Sequence, residues 1–204
     1  MNLQLTASDI QSLDKRYRAN LINGLSGFKS ANLIGTKDHD GQENLSIVSS
    51  VVHVGSDPSV LGCIFRPNIV PRHTYENIMA TEYFTINHIH KDFYQQAHQT
   101  SARYPKNVSE FEAVGLTPDY RGGILAPFVL ESPVKIGLKL VETYDIKCNP
   151  THFVIGEIVF IELAESALDD EGRLLIHQID TVAISGLDQY HDADILGQLP
   201  YAKP

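Results

Sequence analysis

Apolar and polar positions change period along this chain, and the changes divide it into elements. Near the start, Ile10, Leu13, Tyr17 and Leu21 recur every three or four residues, which predicts a helix over 7–22 with Ser8 as its cap. Two glycines in "NGLSGF" end that pattern. "SANLIGTKD" and "NLSIVSSVVHV" then read as strands, and the Asp40-Gly41 pair between them predicts a hairpin. "GSDPS" marks the next turn and "VLGCIF" a short buried strand. A short helix is expected over Thr74 to Ala80, a strand in "EYFTINHI", and helical character over 91–103. "NVSEFEAVG" has Ser109 placed as a cap and Gly115 as a stop.

The second half is richer in strands. "FVLESPVKIGLKLVETYDI", "HFVIGEIVFIELAE" and "RLLIHQIDTVAIS" are long β-type runs separated by "KCNPT" and "LDDEG", which predicts antiparallel neighbours. In "HFVIGEIVFIEL" both alternating sets are apolar: Phe153, Ile155, Val159 and Ile161 on one, Val154, Ile158 and Phe160 on the other. A strand apolar on both faces is covered twice, once by a barrel interior and again by a helix or a second subunit. A homodimer is therefore expected. No repeat, low-complexity tract or linker is visible, and 204 residues fit one domain, 1–204, with 1–20 as an N-terminal helical extension.

Composition narrows the function. Hydrophobic residues are 43% and charged residues 20% of the chain, an ordinary globular balance. The formal net charge of -9 argues against nucleic acid, which requires a basic stripe, yet leaves room for a local cationic pocket. Two isolated cysteines, Cys63 and Cys148, suggest a reducing cytoplasm rather than a disulfide scaffold. "MNLQLTASDI" has no basic segment followed by an apolar run, and no run approaches the ~20 apolar residues of a membrane span, so no secretory signal or membrane association is expected. Dinucleotide and P-loop glycine patterns, Gly-x-Ser-x-Gly and His-Glu-x-x-His are all missing. His88 and His90 share one strand face, but no carboxylate or cysteine stands at ligand spacing, and no metal is expected.

Two polar clusters remain. In "CIFRPNIVPRHTYENI", a cap at Thr74 would leave the first helical N–H groups aimed at an anion, with Arg66 and Arg72 as bidentate partners and His73 as a further donor. The competing reading is a Pro-bounded loop whose arginines are only solvated. In "NLSIVSSVV", Asn44, Ser46, Ser49 and Ser50 interrupt an apolar strand. They either border a polar, planar ligand or form a solvent-facing edge.

Taken in order, these segments resemble the flavin reductase-like, FMN-binding split-barrel family. The resemblance runs through "ANLIGTKDHDGQENLSIVSS", "HVGSDPSVLGCIFRP", "PRHTYENI", "EYFTINHI", "APFVLESPVKIGLKLVE", "THFVIGEIVFIEL" and "LDQYHDADILGQLPYAKP", about residues 20 to 204. "GSDPS" departs from a double proline carried by many relatives. The resemblance implies a mainly β fold with a few helices, an antiparallel Greek-key split barrel, dimeric, with FMN near the subunit interface. It implies Asn44, Ser46, Ser49 and Ser50 beside the flavin ring and ribityl chain, and Arg66, Arg72, His73, Thr74 and Asn77 at the phosphate. His152 matches a position near the isoalloxazine, either as a catalytic residue or as a barrel-end histidine bonded to backbone. His98 and Ser101 are candidates for the pocket rim or an exposed helix face. The implied activity is hydride transfer from NADH or NADPH to FMN and on to flavin or another small acceptor. The alternatives are an FMN-containing electron-transfer protein and a non-catalytic flavin-binding module.

Overall fold

A computed structural model describes residues 2–203 of the chain. The N-terminal helical pattern resolves into two helices, α1 (Ala7–Ser12) and α2 (Lys15–Gly24), rather than one. Thr6, not Ser8, caps α1 by accepting the Asp9 N–H. The chain then turns extended at Leu13, and Asp14 caps α2 by accepting the N–H groups of Arg16 and Tyr17. A short carboxylate at that position competes with the helix for backbone donors, which is why one apolar period spans a break.

The sheet elements begin with β1 (Lys29–Ser30), and β2 (Asn32–Lys37) and β3 (Glu43–Val48) form the expected hairpin. β4 (Val51–Ser56) and β5 (Ser59–Phe65) form a second. They are followed by α3 (His73–Thr81), β6 (Tyr83–His88), α4 (Tyr94–Gln99) and α5 (Glu110–Val114). After short β7 (Pro118–Asp119) and β8 (Phe128–Val129) come the long partners β9 (Val134–Ile146) and β10 (Thr151–Leu163). The helix expected over 91–103 is thus confined to α4, and Gly115 stops α5 in the left-handed conformation as its position predicts. "RLLIHQIDTVAIS" is not one long strand. It contains a 3₁₀ turn, Ile176–Gln178, and becomes strand only in β11 (Ala183–Ser185), which pairs with β1 and with β12 (Gln189–His191). Leu174 and Ile179 pack against the barrel core instead of extending the sheet, so burial overrides strand propensity there.

Seven antiparallel strands lie in the order β3-β2-β6-β9-β10-β5-β4. The edge strands β3 and β4 are joined only by Ser49 and Ser50, so the two ends of the sheet lie side by side without pairing. The sheet is therefore a barrel split along one seam, and the crossing from β5 through α3 to β6 gives it Greek-key connectivity.

Both faces of β2 are covered, because successive side chains point to opposite sides of a strand. Ile34 enters the barrel core with Cys63, Phe65, Ile78, Phe84 and Leu138, while its neighbour Leu33 packs outside with Leu45, Ile89, Phe93 and Phe111. The outer face of β4, β5, β10 and β9 is different. In register, Val52, Gly62 and Ile155 form one row and Ile64, Phe153 and Tyr144 the next, with Val52, Ile64 and Tyr144 exposed. Among the described residues no helix is long and apolar enough to cross a membrane.

Gly35 on β2 marks the tightest approach in the wall, since a Cβ there would strike the Pro127 backbone carbonyl and come within 2.7 Å of Thr85 Oγ1. Those two groups already share a 2.7 Å hydrogen bond. Gly35→Ala is expected to destabilise the fold by about 1–3 kcal/mol, a fall of roughly 2–4 °C in Tm per kcal/mol at this chain length. Thermal unfolding followed by circular dichroism tests this, and an unchanged Tm would refute the close approach.

Candidate functional site

The start of α3 faces the seam of the barrel, and its geometry corrects one expectation. Thr74 is not the cap: Arg72 occupies that position and provides no side-chain acceptor, so no side chain caps the first turn. Glu76 accepts only the Arg72 backbone N–H, at 2.9 Å. The first helical N–H groups are thus left without an intrahelical or side-chain partner. Thr74, one residue into the helix, spends its hydroxyl on β3 instead: it lies 2.8 Å from both Asn44 Oδ1 and Ser46 Oγ. Asn77, one turn on, donates to Thr36 Oγ1 at 3.1 Å, and Thr36 lies 3.4 Å from the same Asn44 oxygen. Asn44, Ser46, Thr74 and Asn77 are therefore brought together, with Asn44, Thr74 and Asn77 buried. Their hydrogen bonds lock α3 onto the β2–β3 hairpin.

Charge collects beside this helix start. Arg72 is half-buried, and its Nε reaches only the Pro67 carbonyl at 3.4 Å. Its burial, and then the neighbouring positive charges of Arg66 and Arg103, draw the guanidinium below its ordinary pKa. Among the described residues none of these three arginines has a carboxylate within ion-pair distance. Arg72 thus has two guanidinium neighbours, a local concentration of positive charge in a chain of net charge -9 that attracts anions. Together with an uncapped helix N-terminus these arginines supply donors suited to an anion. His73, the first residue of α3, is half-buried at the same corner.

The serines of the seam divide by role. Ser50 Oγ donates to the Ile64 carbonyl at 2.9 Å and accepts the Ile64 N–H at 3.2 Å, so it closes the end of β5. Ser46 keeps a contact with Thr74, whereas Ser49 has no hydrogen-bond partner among the described residues. Both are half-buried at the seam.

His152 is the second residue of β10 and is anchored by a carboxylate, not by backbone: its Nδ1 lies 2.7 Å from Asp145 Oδ1 across the β9–β10 pair. Its ring stacks on Tyr75 of α3, with centroids 4.4 Å apart and planes 20° apart, and Tyr75 in turn contacts Phe65. Burial and the Asp145 charge raise the Tyr75 pKa, which keeps the phenol neutral. His98 is directed elsewhere, since its Nδ1 lies 3.0 Å from Tyr190 Oη on β12. Ser101 is exposed just beyond α4.

Sequence reasoning passed over three residues of this region. Arg103 lies in the segment between α4 and α5, which is held to the hairpin by a 3.2 Å Lys106–Asp38 ion pair. The only signal for it was a basic residue after a helix. Tyr75 is visible in "RHTYENI" but gains meaning only from the stacking partner on β10. Glu110 carried the look of a first-turn acid on α5, yet it is buried and bonded to Asn44. Ser109 stands at the cap position of α5 as expected but makes no capping bond, and its Oγ is buried without a partner.

Residues 25–184 match the family model described as the flavin reductase like domain. A provisionally assigned flavin reductase with split barrel domain from Shewanella frigidimarina NCIMB 400 is similar throughout. Its TM-score is 0.95 at 54% identity, covering 98% of this chain and 100% of that one. Flavoredoxin of Desulfovibrio vulgaris (Miyazaki F) has a TM-score of 0.75 at 25% identity, covering 86% of this chain and 92% of its own. An uncharacterized protein of Aquifex aeolicus (strain VF5) is 28% identical over 155 residues, 74% of this chain and 76% of that protein. The seam, α3, Arg103 and His152 all fall inside the family match.

Proposed function

This chain belongs to the flavin reductase-like family, and we propose that it is an FMN-binding oxidoreductase that takes hydride from NADH or NADPH and reduces flavin or another small acceptor. The observation that carries this reading is the unpaired trio Arg66, Arg72 and Arg103 around the uncapped start of α3. A flavin mononucleotide ends in a phosphate monoester of about −1.5 to −2 charge near neutral pH. That corner fits it in sign, in donor number and in location at the barrel seam.

In this reading Arg72 is the principal phosphate ligand, supported by Arg66, Arg103, His73 and the free N–H groups of the first turn. Thr74 and Asn77 hold α3 in place, and Asn44 receives the Thr74 hydroxyl. Ser46 and Ser49 offer hydroxyls along the seam for the polar ring edge and ribityl chain. Ser50 is committed to Ile64 and acts on the site through the shape of the seam. His152, fixed by Asp145 and Tyr75, presents an oriented imidazole beside α3 that suits holding a nicotinamide or balancing charge on the cofactor. Bound FMN supplies the hydride chemistry, so the protein contributes position, electrostatics and exclusion of water. Free thiols at Cys63 and Cys148 suit a reducing cytoplasm.

The exposed apolar rows of β4, β5, β10 and β9 support a homodimer in which a second copy covers this face. Light scattering at micromolar concentration is expected to give twice the 22.7 kDa chain mass, and a monomer would count against the proposal.

Two further measurements test the chemistry. Arg72→Ala is expected to weaken FMN by roughly 10- to 100-fold, the loss of one or two charge-assisted hydrogen bonds. Riboflavin, without the phosphate, should be little affected, and an equal loss for both ligands would remove Arg72 from the phosphate site. The FMN-loaded protein should bleach anaerobically on addition of NADH or NADPH. Retained FMN that neither nucleotide reduces would exclude the reductase and favour an electron carrier. A protein that takes up no FMN would exclude the flavin readings altogether.

A further inference from the structure

Glu110 carries a carboxyl group, is only 6% exposed, and has no basic partner among the described residues. It opens α5, which packs on β3. Its Oε2 accepts two hydrogen bonds, from Asn44 Nδ2 at 2.7 Å and from the Leu45 N–H at 3.0 Å. The Leu45 N–H can only donate, so Oε2 is an acceptor, and Asn44 turns its NH₂ group toward α5 to meet it. The amide oxygen then faces the opposite way, where it accepts the Thr74 hydroxyl at 2.8 Å and the Thr36 hydroxyl at 3.4 Å. Thr36 accepts from Asn77 at 3.1 Å. Donors thus run in one direction, from α3 through Asn44 to Glu110.

An amide has two nearly isosteric faces, and nothing in the shape of Asn44 selects between them. With its NH₂ turned to α3 it would withdraw the amide oxygen from Thr74 and Thr36, and the Thr74 proton would be left to Ser46 Oγ at 2.8 Å. On the α5 side the reversed amide would set its oxygen against Glu110 Oε2, two acceptors with no proton between them inside a buried network. The choice is made on α5, by the oxygen that the Leu45 N–H fixes as an acceptor.

We propose that Glu110 is a positioning residue of the anion site: its carboxylate sets the orientation of the Asn44 amide, and through Thr74 and Asn77 it fixes the first turn of α3, with Arg72, against the seam. The proposal rests on the reading of that corner as the phosphate site of FMN. Glu110 itself touches no ligand. What it controls is the register of the donors that do, so its effect falls on the phosphate and spares the ring.

The test is the ratio of FMN to riboflavin affinity, measured by fluorescence titration in wild type and variants. Glu110→Met fills the space without an acceptor and is expected to lower FMN affinity at least tenfold while riboflavin stays within about twofold. Glu110→Gln retains an oxygen for both donors and should restore the ratio to within about threefold of wild type. General loosening of the fold would weaken both flavins alike and leave the ratio unmoved, which would overturn the proposal. So would a Glu110→Met ratio equal to wild type. If Glu110→Met does not fold, Asn44→Asp probes the same orientation from the other side, by setting two acceptors against each other. An FMN-selective loss there supports the proposal and an unchanged ratio overturns it. Wild type that binds FMN and riboflavin equally, or neither, refutes the phosphate site itself. Wild type that prefers FMN, with variants that keep that preference, refutes only the part given to Glu110.

Discussion

Ser49 and Ser50 link two strands that stand at opposite edges of one seven-stranded sheet, and that covalent constraint shapes the whole molecule. Strands joined by two residues cannot be separated by the width of a flat sheet, so the sheet has to roll until its edges meet. They meet without a ladder, and the unpaired edge groups at such a seam have to be satisfied locally. Ser50 does this for Ile64, closing the end of β5 with one donated and one accepted bond. The seam is also the wall against which α3 is placed, so the closure that makes the barrel is the closure that builds the candidate site.

The site combines two kinds of polar group with opposite requirements. Asn44, Thr74, Asn77 and Glu110 are buried and satisfied by one another, and their value is rigidity. Arg72, with Arg66 and Arg103 beside it, has no carboxylate partner among the described residues, and the value of this group is the positive field it creates. Only the first group makes the second useful. An uncapped helix start held by a loose hairpin would offer its donors over a range of positions, whereas one pinned through Asn44 offers them in a single arrangement. His152 extends the same logic to the far side of α3, where a carboxylate and a tyrosine ring leave its imidazole one orientation.

Much of this was legible in the residues. The β2–β3 hairpin followed from Asp40-Gly41, the helix expected over Thr74 to Ala80 is α3, and the Gly115 stop of α5 followed from its chemistry. "NLSIVSS" stood out because serines are poor strand packing, and they lie at the seam. The errors share a cause as well. A period of three to four ran through Leu13 although Asp14 starts a new helix. The apolar run after Arg173 looked like a strand although Leu174 and Ile179 pack against the barrel core instead. Thr74 looked like a cap although a partner on β3 claims its hydroxyl. In each case a local signal was correct about polarity or burial and silent about which neighbour would use it.

The sequence by itself determined most of the elements, the acidic balance, the arginine loop and the order of most strand-forming runs, because these depend on neighbours within a few residues. Tertiary structure alone decided which polar groups serve as framework and which remain for a ligand. Asn44 meets Glu110 across 66 positions of chain, Thr74 across 30, and the division of Ser46, Ser49 and Ser50 depends on which strand edge each one reaches. Arg103 joins Arg66 and Arg72 only because the segment before α5 folds back over the hairpin. A hydrogen bond is formed over about 3 Å whatever the separation along the chain, so closure of the barrel, rather than spacing in the sequence, selects its partners.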